Sequence, residues 1–575
     1  MSVLTKSFKI ETGDQETSQS QNFFYPLLLV ITLVAAVLRL YALDLYPQRF
    51  NQDEMVMGYD AWSIWLTGRD QHGQFLPIHF QTFNDYVPPV GNYITAPFVG
   101  ILGLNEFTTR LPYALFGIAT VWLVGLLGRR WFGVIAGLVA AGLMATDPWH
   151  LNYSRIAFPA SLVPFFTVLS LYCFTQALTL IRSVAESEQS PKRSVYGWLI
   201  AAGVSFALLT SAYPPLKMEA PMLFGACILA ALPVFWKRKR LGLVLIAAYA
   251  LVVSPVAINQ LQNWSTTQTR YSNISVFLAK NWPTELLFQY ASHYNPRFLF
   301  FDGFKEGVGI RPDGVGELFW LEGLLWLLAF AGFIIFSREL NRKVGFHLPL
   351  VLVIWFLTFP IAASLTVGQP PYEIRAYNFL PLPQLLSGFG VVVAGRVLAK
   401  YQWGKLKAFW IAASVAVALF VVFQVIFLSY FFGPSLLQTS TAPKDLPYNV
   451  GMSRVVVAVQ QQATACDTIY LQPDNQAYIY YLFLSKYPPE KFQHAKIISE
   501  VNRTGWLIMD SFDNVQIGVP GEDKSNYTPP ASCTPDKQRL FFLDHTIPVG
   551  PEWQEIASVK NKDGEYVWRA VVKAS

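Results

Sequence analysis

Two adjacent carboxylates, Asp53 and Glu54, stand directly before a segment in which aromatic residues recur at helical spacing. Within Met55 to Leu66, Tyr59 and Trp62 share one face of a helix, which predicts a helix that lies along a membrane surface. Because a helix N-terminus stabilises negative charge, the two carboxylates could simply cap this helix. The other interpretation is a carboxylate that removes a proton from a hydroxyl group at the membrane surface.

Three cations occupy short turns between apolar runs: Arg155, Lys217 and Arg375. Turns that have been carried across a membrane are usually poor in Lys and Arg, so a cation in each turn is informative. A single cation of this kind often has no function beyond placing its charged end in water or pairing with a neighbour such as Glu373. Three together favour an anion site. Cations opposite a carboxylate suit group transfer from a phosphate-linked donor, because the cations hold the departing phosphate and the carboxylate takes the acceptor's proton.

Neither a metal ion nor a cofactor is predicted. His72 and His79 lie in one loop without an obvious third ligand, and two histidines at this spacing are a weak signal for zinc. Four cysteines are too few for a disulfide scaffold in a chain of this length. Cys466 and Cys533 both lie in the C-terminal part, where a disulfide and two buried thiols remain open alternatives.

The composition indicates a polytopic membrane protein. Of the 575 residues, 53% are hydrophobic and 14% are charged, against roughly 25% charged residues in soluble domains. The apolar residues form runs that, as helices, can cross roughly 30 Å of hydrocarbon. About eleven transmembrane helices are predicted, near residues 23–43, 111–128, 131–146, 157–181, 196–213, 216–236, 241–259, 318–337, 347–366, 376–398 and 408–432.

The distribution of Lys and Arg predicts the orientation in the membrane. Alternate short loops, such as the one containing Lys237 to Arg240, are rich in these residues, which is typical of cytoplasmic loops. The N-terminus is therefore predicted to be cytoplasmic, with outer loops at 44–110 and 260–317 on the opposite side. The net charge of +6 follows from these loops and does not indicate a nucleic acid partner.

Three regions are predicted along the chain. Residues 1–21 form a cytoplasmic tail, residues 22–432 form the transmembrane domain, and residues 433–575 form a soluble extracytoplasmic α/β domain. Strand-like sequences in the last region lie at 454–459, 468–471 and 566–568.

A series of short motifs resembles, in content and order, the protein O-mannosyltransferase-like glycosyltransferases of the GT-C class. The resemblance covers roughly residues 30 to 400. The motifs are Asp53-Glu54, Gly58 to Ala61, Thr67 to Asp70, Gly73 with Leu76-Pro77, Pro88-Pro89 with Tyr93, Thr109 to Pro112, Pro148-Trp149 to Ser154-Arg155, Tyr290 to Asp302 with His293 and Arg297, and Arg375 with Leu380-Pro381. One feature departs from the aminoarabinose lipid A transferases, some of which have a lysine directly before the Pro-Pro pair, where this chain has Asp85-Tyr86-Val87.

The resemblance implies a GT-C fold and transfer of a sugar from a polyprenyl-phosphate-linked donor, with inversion and without a nucleotide. It implies that Asp53, with Glu54 beside it, is the catalytic carboxylate. It also implies that Arg155, Lys217 and Arg375 hold the lipid phosphate. The residues expected to line the substrate groove are Tyr59, Trp62, Asp85, Tyr93 and His293.

The sequence leaves two classes of function to distinguish, an enzyme and a transporter. A transporter or flippase for lipid-linked glycans should carry ionisable residues in the middle of its spans, and these are scarce here. The enzyme interpretation is therefore favoured, with the transporter as its alternative. The expected partners are membrane lipid, the lipid-linked sugar and an acceptor, and the acceptor could be a protein, a lipid or a glycan.

Overall fold

The computed structural model describes most of the chain. The described residues are 18–47, 50–83, 85–186, 193–262, 275–304, 314–368, 370–400, 407–432, 451–473, 476–501, 507–521, 527, 529–534, 538–545, 547, 549–560 and 564–574. The predicted cytoplasmic tail 1–21 therefore lies almost entirely outside them.

The first part of the chain is helical, apart from one short hairpin. In chain order its helices are α1 (Ser18–Leu40), α2 (Gln52–Thr67), α3 (Val90–Leu102), α4 (Glu106–Phe132), α5 (Val134–Thr146), α6 (Pro148–Tyr153), α7 (Val163–Glu186), α8 (Arg193–Thr210), α9 (Leu216–Ala230), α10 (Leu232–Lys237), α11 (Lys239–Gln262), α12 (Trp282–Ser292), α13 (Trp320–Val344), α14 (Leu348–Thr358), α15 (Ile361–Ser364), α16 (Leu382–Lys400) and α17 (Lys407–Phe432). The hairpin pairs β1 (Phe80–Thr82) with β2 (Asp85–Val87) in antiparallel register.

Seven helices of the described residues are long and apolar enough to cross a membrane. They are Phe23–Leu40, Glu106–Phe132, Pro159–Ser183, Arg193–Thr210, Lys239–Gln262, Trp320–Val344 and Tyr377–Ala399. Four further apolar helices are shorter, among them α3 and α5. The predicted class, a helical polytopic membrane protein with a C-terminal α/β domain, is confirmed, whereas the count of about eleven crossings stays a prediction.

The bundle packs around one large hydrophobic cluster in which α4 and α5 lie very close together. A Cβ atom on Gly137 of α5 would lie only 2.4 Å from the carbonyl oxygen of Gly125 on α4. Small residues at such crossings let helix backbones approach, which is a common source of stability between membrane helices. Cations lie in the last turn of α4, one turn after Gly125, where Arg129 stacks on the ring of Phe24 at 4.5 Å.

The C-terminal domain is a mixed sheet with helices. Its elements are α18 (Met452–Gln460), β3 (Thr468–Leu471), α19 (Ala477–Leu484), α20 (Pro489–Gln493), β4 (Ile497–Val501), β5 (Leu507–Phe512), β6 (Val515–Ile517), β7 (Arg539–Asp544), β8 (Gln554–Lys560) and β9 (Tyr566–Ala574). The strand order is β4-β5-β6-β3-β7-β9-β8. The central strand β3 runs parallel to β6 and β7, and the outer pairs are antiparallel.

The strand predicted at 454–459 is wrong, because these residues lie in helix α18. The run of valines has high strand propensity, but the buried positions are Met452, Val455, Val456 and Val459. That spacing of three and four residues places one apolar stripe against the sheet. Tertiary packing therefore overrides the local preference of the β-branched residues. The strands predicted at 468–471 and 566–568 are present as β3 and the start of β9.

Cys466 and Cys533 form a disulfide, which resolves the alternative that the sequence left open. Cys173 and Cys227 are buried free thiols in the helical bundle.

A second hydrophobic cluster joins the C-terminal domain to helix α2 of the first loop. Its residues include Met55 and Tyr59 from α2 and Phe483 and Phe492 from the domain. Gly58 makes this contact possible, since a Cβ atom there would lie 2.8 Å from the ring of Phe483. The loop and the domain therefore fold around one shared core.

Candidate active site

Helix α2 begins with a capping box that fixes its first turn. The side chain of Asn51 accepts a hydrogen bond from the backbone N–H of Glu54 at 3.0 Å. The Glu54 carboxylate in turn accepts from the backbone N–H of Asn51 at 3.4 Å. Reciprocal bonds of this kind satisfy backbone donors that the helix leaves free at its N-terminus.

Glu54 also forms a fully buried ion pair with Arg110 of α4. The Arg110 Nε and Nη2 atoms lie 2.8 Å and 2.9 Å from the two carboxylate oxygens, in bidentate geometry. The same carboxylate accepts the backbone N–H of Ala157 at 2.8 Å. Both charged side chains have no exposed surface. Glu54 is therefore committed to holding three segments together, and this placement favours a positioning role over the direct catalytic role expected for it.

Asp53 precedes Glu54 in the first turn of α2, and its side chain is partly exposed. It lies near the positive end of the helix dipole, where a negative charge is stabilised. The ion pair beneath it fixes the backbone from which its side chain projects. The geometry thus separates the two carboxylates, since one is sealed in the protein and the other reaches the surface of the first loop.

Arg155 is fully buried and bonds to backbone carbonyls, so its placement differs from that of a phosphate ligand. Its guanidinium donates to the carbonyl oxygens of Leu38 at 2.6 Å, Tyr41 at 2.8 Å and Tyr46 at 3.0 Å. Carbonyls at the end of a helix lack partners within that helix, and a guanidinium can satisfy several of them. We therefore reassign Arg155 from the phosphate to the end of α1, where it holds the chain that leads into the first loop.

Two predicted groove residues of α2 face the C-terminal domain instead of an open groove. Tyr59 is fully buried, and its hydroxyl donates to the backbone oxygen of Tyr487 at 2.8 Å. Burial, with the nearby Asp60 carboxylate, raises the pKa of Tyr59. Trp62 is partly buried and packs against the same cluster. The aromatic face of α2 is thus a protein contact, and the placement of α2 along a membrane surface stays a prediction.

Helix α20 of the C-terminal domain holds the last turn of α2 by hydrogen bonds. The Gln493 amide nitrogen lies 2.9 Å from the Ser63 hydroxyl, 3.0 Å from the Thr67 hydroxyl and 2.9 Å from the Asp70 carbonyl oxygen. The domain therefore contributes polar as well as apolar contacts to the placement of α2.

The hairpin of the first loop brings His79 and Asp85 near Lys217. His79 is buried, and its Nδ1 atom lies 2.8 Å from the side-chain oxygen of Asn259 at the end of α11. Burial and the neighbouring Lys217 ammonium lower the pKa of His79 to about 4. His79 is neutral near pH 7 as a result. Asp85 and Lys217 are both partly exposed, which leaves this corner accessible to a ligand.

Arg375 lies in the turn between α15 and α16 and is partly exposed. Its guanidinium stacks on the ring of Tyr372 at 4.2 Å and donates to the Thr366 hydroxyl. Within the described part of the chain, no carboxylate lies within ion-pair distance of it. An arginine that is oriented by neighbours but not neutralised by them suits an anionic ligand.

His293 supports the Arg375 turn from behind and does not line a groove. It is fully buried; its Nδ1 lies 2.7 Å from the carbonyl oxygen of Gln289, and its Nε2 accepts the backbone N–H of Tyr372 at 3.1 Å. Burial and the nearby Arg375 lower the pKa of His293 to about 4. The remaining groove residue, Tyr93, is about one-third exposed and donates to the Pro77 carbonyl oxygen at 3.0 Å.

The segment from Tyr153 to Phe158 links the three parts of the site. Ala157 bonds to Glu54 at the start of α2, and the ring of Phe158 packs 6.0 Å from that of Tyr213 in the Lys217 turn. The Tyr153 hydroxyl donates to Glu373 in the Arg375 turn at 2.7 Å. The structure thus connects the carboxylate helix to both cationic turns through one short segment.

The structural roles of Arg110 and His79 could not be predicted from the sequence. Arg110 belongs to one of the recognised motifs, but its partner Glu54 is 56 residues away, so the ion pair has no local signal. The sequence suggests a role for His79 only as a metal ligand. Among the described residues, no group of three or more His, Cys, Asp and Glu side chains could hold a metal ion.

Part of the chain is similar in sequence to known glycosyltransferases. Residues 29–271 match the sequence model of dolichyl-phosphate-mannose-protein mannosyltransferases. A putative mannosyltransferase of Bacillus subtilis, YycA, is 29% identical over 206 residues, which are 35% of this chain and 26% of that protein. The match therefore spans about a quarter of that relative's length.

Solved structures resemble the chain over a longer stretch. ArnT of Cupriavidus metallidurans, bound to undecaprenyl phosphate, is 13% identical with a TM-score of 0.50, over 96% of this chain and 97% of that one. The apo oligosaccharyltransferase of Archaeoglobus fulgidus is 15% identical with a TM-score of 0.49, over 82% of this chain and 64% of that one. The likeness to ArnT shows a shared fold, which is the GT-C fold expected from the sequence.

Proposed function

We propose that this chain transfers a sugar from a polyprenyl-phosphate-linked donor to a hydroxyl group. Support comes from the match of residues 29–271 to the sequence model of dolichyl-phosphate-mannose-protein mannosyltransferases. The observation that most supports this proposal is the different placement of the two carboxylates at the start of α2. Glu54 is sealed in an ion pair with Arg110, and this anchors a helix whose neighbouring carboxylate, Asp53, reaches the surface.

The proposed mechanism is a direct displacement. Asp53 accepts the proton of the acceptor hydroxyl as its oxygen attacks the anomeric carbon of the sugar. The bond from that carbon to the phosphate oxygen breaks, and the polyprenyl phosphate leaves with the electron pair. One displacement inverts the configuration at the anomeric carbon.

Arg375 and Lys217 are proposed to stabilise the phosphate as its charge grows. Positively charged groups aimed at a developing anion lower the barrier because they are already oriented before the reaction. Arg375 is partly exposed and can offer bidentate hydrogen bonds, while Lys217 offers a point charge beside the hairpin. Arg155, which bonds to backbone carbonyls, is left out of this proposal.

The C-terminal domain and both long loops are proposed to lie on the extracytoplasmic side, with the N-terminus in the cytoplasm. The region boundaries 22–432 and 433–575 belong to the same proposal. Support comes from the Lys and Arg of the opposite loops and from the Cys466–Cys533 disulfide, which persists mainly in oxidising compartments.

The function is tested with the purified chain in liposomes and a panel of polyprenyl-phosphate sugars. Mannose is the first choice, because the matched family model is that of mannosyltransferases. Acceptors are offered as proteins, lipids and glycans. The expected result is release of polyprenyl phosphate together with a glycosylated acceptor of inverted configuration. Movement of intact lipid-linked sugar across the bilayer without any transfer would favour the transporter alternative.

A further inference from the structure

Helix α12, in the second long loop, is amphipathic in the reverse sense to a helix of a soluble protein. Its apolar residues Leu287 and Phe288 are 68% and 61% exposed, whereas the polar residues Gln289 and His293 have no exposed surface. In water a helix buries its apolar stripe and exposes its polar one. The opposite arrangement indicates that the exposed side of α12 faces something apolar.

The buried polar face of α12 makes hydrogen bonds within the protein. The Gln289 amide donates to the Glu285 carboxylate at 3.0 Å, and the Gln289 carbonyl oxygen lies 2.7 Å from the His293 ring. The other nitrogen of His293 accepts the backbone N–H of Tyr372, which precedes Arg375 by three residues. Because the bond to Tyr372 ties the end of α12 to a distant segment, the apolar face of α12 cannot turn inward without breaking that bond.

Two tyrosines attach α12 to the end of α14, which is one of the shorter apolar helices. The Tyr290 hydroxyl donates to the carbonyl oxygen of Leu357 at 2.8 Å, and the Tyr294 hydroxyl donates to that of Phe356 at 2.7 Å. Leu357 itself is 50% exposed, and Val353, one turn earlier, is 42% exposed. The apolar face of α12 thus continues an apolar surface that runs along a helix of the bundle.

The approach to α12 has the composition of a membrane interface. Three large apolar side chains that precede or begin the helix are exposed: Phe277, Leu278 and Trp282. Lys280 stands between them and is also exposed. Trp beside a basic residue is typical of the level at which lipid headgroups meet acyl chains. The rings of Phe277 and Trp282 lie 5.2 Å apart, and exposed apolar side chains that group together mark an interaction site.

We propose that α12 is seated in the lipid bilayer at the loop end of the bundle, with acyl chains of that leaflet covering Leu287 and Phe288. This surface is independent of the transferase activity and needs no donor to be present. Through His293 and Tyr372, the same helix connects the membrane surface to the turn that carries Arg375.

The test uses an environment-sensitive fluorophore attached to a cysteine introduced at Phe288 (Phe288→Cys), in a Cys173→Ala, Cys227→Ala background, with the full chain in lipid nanodiscs. Leu327→Cys, on the exposed face of the spanning helix α13, is the lipid control, and Glu490→Cys, on the exposed surface of α20, is the water control. Leu287→Cys provides a second probe if Phe288→Cys does not fold. Quenching is compared between spin-labelled lipid and aqueous iodide.

The expected result is a blue-shifted emission at residue 288 that spin-labelled lipid quenches and iodide does not, as at residue 327. Quenching by iodide, as at residue 490, would place the helix in water and overturn the proposal. Protection from both quenchers would mean that protein covers the face, for example a second copy of the chain, and would equally overturn it.

Discussion

Glu54 and Arg110 form an ion pair from which water is excluded, because neither side chain has exposed surface. Loss of one partner leaves the other charge buried without compensation, at a cost of about 3–5 kcal/mol. We expect Glu54→Gln to lower the free energy of unfolding by this amount, as measured by thermal or chemical unfolding of the purified protein.

Asp302→Asn is the matched control for this variant. Asp302 pairs with Arg297 at 3.2 Å, but the two side chains are 37% and 78% exposed. Exposed pairs contribute about 0–1 kcal/mol. Equal losses of stability in the two variants would contradict the buried-clamp account of Glu54.

Arg375 is expected to act on the donor and not on the acceptor. A hydrogen bond to a charged group contributes about 1.5–3 kcal/mol, so Arg375→Ala should raise the KM for the lipid-linked sugar roughly tenfold or more. Arg297→Ala removes an exposed arginine from the neighbouring loop and serves as control. Kinetics with donor and acceptor varied separately decide the point, and a rise in the acceptor KM alone would remove Arg375 from the phosphate site.

Because the pKa of His293 is lowered by burial, we expect the free energy of unfolding to depend on pH. Its pKa in the folded protein is lowered to about 4, so the unfolded chain, with a His pKa of about 6.5, binds the proton first. The contribution of neutral His293 to the free energy of unfolding is complete above the unfolded-state pKa of about 6.5. It is lost as the pH falls towards 4. His293→Gln keeps an acceptor for the Tyr372 N–H and should make the decline between these limits shallower, while the remaining decline comes from other buried histidines such as His79.

The comparison for this titration is His494→Gln, because His494 is exposed. Unfolding measured across the acidic range should retain the full slope in that variant. If His293→Gln also retained it, the buried neutral histidine would not be a source of the acid sensitivity.

At the scale of elements, α2 and the C-terminal domain share one core, so the domain should affect catalysis by holding α2. Phe492 of the domain is buried against Tyr59 of α2, with ring centroids 6.4 Å apart. Phe542 is equally buried but belongs to a separate cluster on the sheet. Either residue, changed to Ala, should cost about 3–5 kcal/mol of stability.

The two variants should differ in activity. We expect Phe492→Ala to reduce transfer per folded molecule, because it loosens the seat of α2, while Phe542→Ala leaves it near the wild-type value. Activity is normalised to the folded fraction determined by size-exclusion chromatography. Equal activities in the two variants would show that the domain does not position α2.

Some elements could be predicted from the sequence because their signal is local. The helical runs of the bundle follow from length and hydropathy, and the start of α2 follows from the acidic pair Asp53-Glu54, whereas the N-cap itself, Asn51, was not predicted. The failure at α18 has a clear cause, since a short run of valines fits both a strand and one side of a helix. Only packing against the sheet decides between the two.

In the molecule as a whole, the contacts that organise the site join residues that are distant in sequence. These contacts could therefore not be predicted from local sequence patterns. Glu54 meets Arg110 across 56 positions, and Tyr59 meets Tyr487 across 428. The sequence showed that Arg155 is an unusual cation for its turn, but not that four backbone carbonyls surround it. Residue type and spacing identified the candidates, and only the fold separated the structural cations from the exposed ones.

The central claim is that Asp53 takes the acceptor proton during sugar transfer. The most direct measurement is sugar transfer by Asp53→Asn in membranes supplied with lipid-linked sugar, beside Asp44→Asn, which alters an exposed carboxylate of the same loop. The account predicts normal insertion and abundance of both variants, with transfer lost only in Asp53→Asn. Full activity of Asp53→Asn would contradict it.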